Sequence, residues 1–292
     1  MLNSYDLPPY IDLHTHSTAS DGSDTPSALV QKASDKGLAA IALTDHDTLG
    51  GLKEAQEAAR DLNIRFIRGC EISTSTPEGS IHMLGLWLPD SCPALEGFLT
   101  HLMECRRQRN QKMVKLMQAA GLDITLEEID AVAGHAPGRP HMAQILVKKG
   151  YVQSTEEAFE KWLDHNGRAY VPKLAPRPEQ AVRILREHGA SAIIAHPLLR
   201  PKPPGWLDSL VRNLKKEGLF GLEAWHSAQS AAQSDEIIGL AHKYDLALSG
   251  GSDYHGTKKK YIDLGTGMGQ LKIGLKVLED LESRRKAQGL PC

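Results

Sequence analysis

Short apolar runs alternate along the chain with longer stretches whose apolar positions recur every three or four residues. The runs predict buried strands over 10–14, 39–43, 65–70 and 81–87. The stretches between them predict helices over 26–36, stopped by Gly37, and over 52–61. From about 93 to 170 the chain is more charged and the strand pattern disappears. A long helix is predicted there over 94–120, with shorter ones near 126–132, 141–149 and 156–164. After Pro172 the alternation resumes. Strands are predicted over 190–195, 219–224 and 246–249, and helices over 207–217, 230–244 and 272–285.

Repeated strand–helix units predict a parallel sheet with crossover helices, and their number suits an α/β barrel of about seven or eight units. The helical middle reads as an insertion that interrupts the barrel in sequence and not in space. The expected division is 8–92 for the first part of the barrel, 93–171 for a substrate-binding helical insertion, and 172–290 for the second part. The stretch Arg200-Pro201-Lys202-Pro203-Pro204 reads as a loop.

Composition narrows the class. A chain of 292 residues, 41% hydrophobic and 24% charged, can bury a large core without disulfides. The net charge of -2 argues against a broadly basic nucleic-acid binder. Cys70, Cys92, Cys105 and Cys292 show no C-x-x-C spacing, so a reduced, cytoplasmic protein is expected. Residues 1–10 lack the basic start and apolar run of a signal peptide. No stretch approaches the roughly 20 apolar residues of a membrane span, and nothing points to an obligatory protein partner.

The chemistry lies where the strands end. His14-Thr15-His16 closes the first strand, with Asp21 in the following loop, and Asp45-His46-Asp47 closes the second. Glu71 closes the third and His82 lies on the fourth. His196 follows a later strand, and Asp253 and His255 follow the last. Strand ends form the active face of parallel α/β barrels. An H-x-H pair on a strand points both imidazoles the same way, because side chains repeat every two residues. Mixed imidazole and carboxylate donors suit zinc, manganese or iron(II), and ions a few ångströms apart can clamp a phosphate and ionise a water. Burying these groups against apolar strands without a metal or another partner would be costly.

Taken together, Ile11-Asp12-Leu13-His14-Thr15-His16-Ser17, Leu43-Thr44-Asp45-His46-Asp47, Gly69-Cys70-Glu71, His82, Ala195-His196-Pro197 and Gly251-Ser252-Asp253-Tyr254-His255 resemble the motifs of the polymerase-and-histidinol-phosphatase (PHP) family, in order across nearly the whole chain. The resemblance implies a distorted (β/α)7 barrel with a trinuclear metal centre. It implies one ion held by His14, His16, Glu71 and Asp253. A second would share Glu71 and add His82 and His196, and a third would take Asp21, His46 and His255. Manganese is the expected ion, with zinc and iron(II) as alternatives. The family often has histidine where Asp21 stands, so the third ion is expected to be held less firmly.

The insertion adds a second set. Arg106, Arg109 and Asn110 share a helix face by their i, i+3, i+4 spacing, and Gly138-Arg139-Pro140-His141 enters a helix as an anion site would. These stretches resemble the branch of the family containing nucleoside 3′,5′-bisphosphate phosphatases and 5′→3′ exoribonucleases on short RNA. That likeness implies that Arg106, Arg109, Asn110, Arg139 and His141 read the remaining phosphate or the nucleoside, with Asp21, His46 and His255 also facing substrate. Glu71, Asp253 and His255 would be the catalytic groups. The expected reaction is attack of a metal-activated hydroxide on the 3′-phosphorus of a nucleoside 3′,5′-bisphosphate, with no covalent phospho-enzyme. Exoribonuclease action on short RNA is the main alternative, favoured by a longer basic track. Histidinol phosphate phosphatase would want an acidic pocket, and an amidohydrolase would want a bridging lysine where Glu71 stands. A non-enzymatic accessory module would have lost ligands. His226 follows the strand over 219–224 and could reach the site. His101, His135, His165, His188 and His242 are expected at the surface.

Overall fold

The computed structural model describes residues 8–133, 137–172 and 174–292, so His135 lies outside the described residues. Among them, seven strands join into one sheet in sequence order: β1 (Ile11–Asp12), β2 (Ala40–Leu43), β3 (Arg65–Thr76), β4 (Gly79–Leu86), β5 (Ser191–Ala195), β6 (Gly221–His226) and β7 (Ala247–Gly251). The first and last strands also meet. Leu13 N–H bonds to Gly250 O at 3.2 Å, and Asp253 N–H to His14 O at 2.9 Å. The sheet is thus nearly closed into a barrel, the distorted (β/α)7 form expected from the sequence. The helices follow in chain order. They are α1 (Pro26–Asp35), α2 (Leu52–Asp61), α3 (Pro93–Ala119), α4 (Leu126–Ala133), α5 (Arg139–Lys148), α6 (Thr155–Ala158), α7 (Pro178–Glu187), α8 (Trp206–Glu217), α9 (Ala231–Lys243) and α10 (Leu275–Ala287). None is long and apolar enough to cross a membrane.

The chain forms two compact units, one from Met1–Glu96 with Pro176–Cys292 and one from Gly97–Ala175. The barrel unit has a hydrophobic core that includes Ile11, Leu13, Ile67, Leu84, Ile193 and Phe220, together with Leu271, Val277, Leu278 and Leu281. Each such side chain contributes about 1.5–3 kcal/mol when fully buried. The helical unit has its own core, which includes Met113, Met117, Ile129, Met142, Leu146 and Trp162.

The sheet departs from the expected parallel order at β4, which runs antiparallel to both β3 and β5. Only Pro77 and Glu78 separate β3 from β4. A connection that short makes a hairpin and leaves no room for a crossover helix. The reversal matters for the site. His82 lies early in β4, opposite Ser73 and Ala195, so the antiparallel direction brings it to the barrel end where the parallel strands finish. Helix α7 has no counterpart in the sequence reading, whose first element after Pro172 is the strand over 190–195. Pro178 sits at the helix start, where a missing N–H is harmless. Strand β1 stops at Asp12, short of the predicted 10–14, because the Asp12 carboxylate takes the N–H groups of His14 and Ser252.

Candidate metal centre

Glu71 is the hub. It is fully buried near the middle of β3, paired with Leu84 of β4 across the sheet. Its Oε2 lies 3.3 Å from His14 Nε2, 3.3 Å from His16 Nε2 and 3.0 Å from His46 Nδ1. Its Oε1 lies 2.8 Å from His82 Nδ1 and 3.0 Å from His196 Nε2. Asp253 forms a second focus. Its Oδ1 is 3.2 Å from His16 Nε2 and 3.7 Å from His14 Nε2. Its Oδ2 receives Lys259 Nζ at 2.6 Å and lies 3.3 Å from His226 Nε2. Asp21, on the loop after His16, is 3.3 Å from His255 Nε2 and 3.9 Å from His46 Nε2. All nine residues singled out as metal ligands stand in this one region of the barrel unit.

Their donor atoms fall into four overlapping groups. They are His16, Asp21, His46 and His255; His14, His16 and Asp253; His14, Glu71 and His196; and His46, Glu71 and His82. The partition differs from the sequence reading: His82 and His196 fall in different groups around Glu71, His46 joins Glu71 and His82, His16 joins the Asp21 group, and Glu71 stands outside the group of His14, His16 and Asp253. Whether these residues suit cations is tested by their unmet bonding. His14 Nε2, both ring nitrogens of His16, His46 Nδ1 and Glu71 Oε2 are buried, yet none makes a hydrogen bond among the described residues. Buried polar atoms ordinarily find partners. Here they converge on one another at poor angles, as donors arranged for ions between them would.

The electrostatics fit the same account. Burial opposes charge on Glu71, but the imidazoles of His46, His82 and His14 outweigh it and hold the carboxyl well below its usual range. Asp253 and Asp21 are held well below theirs despite burial, the first chiefly by its contacts with His16 and His226, the second by His46 and His255. Burial lowers His16, but the Asp253 and Glu71 carboxylates more than offset it and lift the imidazole to about 9. Burial pushes His82 down to about 4. The metal-free cluster thus carries protons among its histidines, and cations entering it would displace them.

Glu223, which the sequence reading missed, helps hold this arrangement, as do His226 and Asp45, which it named without these contacts. Glu223 is fully buried on β6, with Oε1 2.8 Å from His14 Nδ1 and Oε2 accepting the His196 N–H at 2.7 Å. A bonded Nδ1 leaves Nε2 of His14 for Glu71 and Asp253. His226, three residues on, would face away in a regular strand. An irregular register between Glu223 and Trp225 shifts it by one residue, so both reach the site. The available signal for Glu223 was a carboxylate inside an otherwise apolar strand. Asp45 takes the Ser17 N–H, Ser17 hydroxyl and Ser20 hydroxyl at 2.8, 2.6 and 2.5 Å, tying the loop after His16 to the end of β2. Backbone strain accompanies the site, with φ of +57° at Asp253, +29° at His196 and +53° at Asp47. Gly251 is required, because a Cβ there would collide with the backbone and Cβ of His14. Cys70 faces away from Glu71 along β3, and burial raises its thiol, so it is no nucleophile.

Apart from Asp21, His46 and His255, the residues expected to read substrate lie in the helical unit. Arg109 is buried, with Nε donating to Val171 O at 2.8 Å, and Asn110 Nδ2 donates to Pro137 O at 2.9 Å. Arg139, at the start of α5, donates to Leu163 O at 3.2 Å and to Asp164 Oδ1 at 3.0 Å. Burial, with the charges of Arg139 and Arg106 nearby, brings Arg109 down to about 10, which marks a local concentration of cations. His101, His165 and His242 are exposed, as expected, and His188 is half-buried.

Comparison with known proteins agrees with this geometry. The PHP domain profile matches residues 12–268. The chain is 34% identical to the 5′-3′ exoribonuclease Rnm of Escherichia coli K12, covering 87% of each. It is 31% identical to the 3′,5′-nucleoside bisphosphate phosphatase of Chromobacterium violaceum, covering 94% of this chain and 97% of the relative. A solved structure from Bifidobacterium adolescentis, described as a proposed metal-dependent phosphoesterase, superposes with a TM-score of 0.77 at 28% identity, covering 95% and 97%. The chain therefore belongs to the PHP domain family and is a hydrolase of phosphate esters with candidate sites for divalent metals.

Proposed function

We propose that this enzyme removes the 3′-phosphate of nucleoside 3′,5′-bisphosphates, adenosine 3′,5′-bisphosphate to AMP and phosphate for example, at the cluster centred on Glu71. The observation that carries the reading is that carboxylate, with five imidazole nitrogens within 3.3 Å of its two oxygens. The C. violaceum relative, matched over nearly its full length, supports the substrate class. Manganese is our choice of ion, with zinc or iron(II) as alternatives, because mixed imidazole and carboxylate donors suit all three. When bound there, divalent ions neutralise phosphoryl oxygens and acidify water.

The chain's own groups do the rest. Glu71 draws three histidines to one oxygen and two to the other. Asp253 offers Oδ1 to the centre while Lys259 and His226 hold Oδ2. It is the group to orient the attacking water. His255 Nδ1 lies 2.8 Å from the Asp253 carbonyl, which turns Nε2 toward Asp21 and the phosphate position. His46 is its counterpart on the β2 side. The hydroxyls of Ser17 and Ser20 are committed to Asp45, so hydrolysis runs without a phospho-serine. We assign phosphate and nucleoside recognition to Arg106, Arg109, Asn110, Arg139 and His141 of the helical unit, a role their concentrated positive charge supports. A reduced, cytoplasmic setting is supported by the four free cysteines.

A second reading, 5′→3′ cleavage of short RNA at the same centre, is favoured by the 34% identity to exoribonuclease Rnm. Phosphate release from a nucleoside 3′,5′-bisphosphate with manganese present, set beside nucleotide release from a short 5′-phosphorylated RNA, separates the two. Turnover of the bisphosphate that survives exhaustive chelation would rule out the mechanism.

A further inference from the structure

The Pro-rich loop after β5 does not belong to the metal centre, yet it stands beside it. His82 and His196, two of the Glu71 partners, form one wall of a cleft of about 110 Å³ whose other lining residues are Ser80, Ile81, Pro197, Leu199, Arg200 and Lys202. No carboxylate lines it. Lys202 is braced, its Nζ donating to Glu78 O at 2.9 Å and lying 4.8 Å from the centre of the Trp206 ring. Trp206 Nε1 is in turn fixed on Glu78 Oε2 at 3.0 Å. Arg200 is exposed and makes no hydrogen bond or ion pair among the described residues, so its guanidinium is open to a ligand. Burial and then the charge of Arg200 lower Lys202, outweighing the nearby Glu78 carboxylate, as fits two cations held close together. Leu199 is 43% exposed beside them, an apolar surface next to a cationic one. Prolines at 197, 201, 203 and 204 stiffen the loop, which lowers the entropy lost on binding.

This combination suits one nucleotide unit: cations and a hydroxyl for a phosphodiester, and an apolar face for a sugar or base. Hydrolysis at the Glu71 centre forms a bond from water oxygen to phosphorus and breaks the P–O3′ bond, with the proton passing to O3′. In a bisphosphate the released phosphate carries nothing further. In an oligonucleotide the same phosphorus remains esterified to the next nucleoside, which needs room beside the centre. We propose that the cleft between His82, His196 and the Arg200–Lys202 loop is the subsite for that next nucleotide, with Arg200 and Lys202 setting how well an oligonucleotide is used relative to a mononucleotide. The proposal rests on the reading of the Glu71 cluster as the hydrolytic centre, and not on the mononucleotide being the better substrate.

The test compares kcat/KM for a nucleoside 3′,5′-bisphosphate and for a 5′-phosphorylated trinucleotide, in the wild type and in a double variant carrying Arg200→Ala and Lys202→Ala. Both residues are on a solvent-facing loop, and Arg200→Lys serves as the conservative companion. The ratio of trinucleotide to bisphosphate rate constants is expected to fall about 10-fold in the double variant, the effect of removing a charge-assisted hydrogen bond, and to recover most of that in Arg200→Lys. The dependence of log kcat/KM on log salt for the trinucleotide should become shallower by about 0.7 for each phosphate no longer neutralised. An unchanged ratio and salt slope would overturn the subsite, as would a wild type that fails to cleave the trinucleotide. A wild type that cleaves the trinucleotide and not the bisphosphate would instead overturn the mononucleotide reading and leave the subsite to be decided by the variant.

Discussion

Changing Glu223 to glutamine replaces one oxygen by an amide nitrogen in a group that no solvent reaches. The carboxylate makes two bonds, to His14 Nδ1 at 2.8 Å and from the His196 N–H at 2.7 Å. Glutamine can satisfy only one of them. If its oxygen stays on His196, its NH2 meets His14 Nδ1 and favours the tautomer with the proton on Nε2, the atom that faces Glu71 and Asp253. If it turns over, the His196 N–H meets the NH2 and His196 loses its anchor. Either way one histidine is turned or re-protonated, and the negative charge that holds His14 well above its ordinary value is gone. Loss of such a partner behind a metal-binding histidine costs about 10–100-fold in metal affinity or activity, or about 1.4–2.7 kcal/mol. The shape of the side chain is kept, so the fold should survive. Calorimetric titration of metal-free Glu223→Gln with manganese, followed by phosphatase assays over a range of manganese concentrations, should show weaker binding and activity partly restored by excess ion. A variant with wild-type affinity and wild-type activity at limiting manganese would refute the role given to Glu223.

Other perturbations have equally definite outcomes. Glu71→Gln removes the shared charge at the hub and should lower turnover by more than about 100-fold, beyond the effect of losing an outer partner; elemental analysis of the purified variant should show depleted metal. Gly251→Ala places a methyl against His14; overpacking of that kind costs about 1–3 kcal/mol, seen as a lower Tm and reduced metal uptake, and a variant with wild-type values for both would remove the close approach from the account. In the metal-free protein the raised His16 contributes stability that is complete below about 6.5 and lost as pH rises through about 9. Its Tm should therefore fall across that window, and saturating metal should abolish the fall by replacing the protons. The depressed Glu71 carboxyl acts in the opposite sense and its contribution is lost in acid; a metal-free Tm that climbs from 6.5 to 9 would contradict the sign.

What the sequence disclosed follows from what is local in it. The positions of His14, His16 and His46 were legible because a polar residue closing an apolar run leaves a mark in a single stretch, whereas Glu71, read as closing a strand over 65–70, lies inside β3, which runs on to Thr76. The helices α2 and α9 were legible from the spacing of their apolar positions. The reversal of β4 was not, because a strand's direction depends on whether its connection can hold a helix, and the two residues Pro77 and Glu78 lie outside either strand's own pattern. Strand β1 was read too long because Asp12 spends its carboxylate on Ser252 and Gly265, groups more than two hundred residues away in the chain. His226 was read as able to reach the site because it follows the strand over 219–224, and it is the irregularity at Trp225 that brings it there together with Glu223. Likewise, the division of the nine ligands among neighbouring ions depends on distances of an ångström, to which residue spacing is blind.

The most direct test of the account is anomalous diffraction from crystals of this protein soaked in manganese, recorded at the manganese edge. The account predicts strong peaks among the side chains of His14, His16, Asp21, His46, Glu71, His82, His196, Asp253 and His255, with Glu71 touching more than one. Crystals saturated with manganese that show no anomalous peak in this cluster would contradict it.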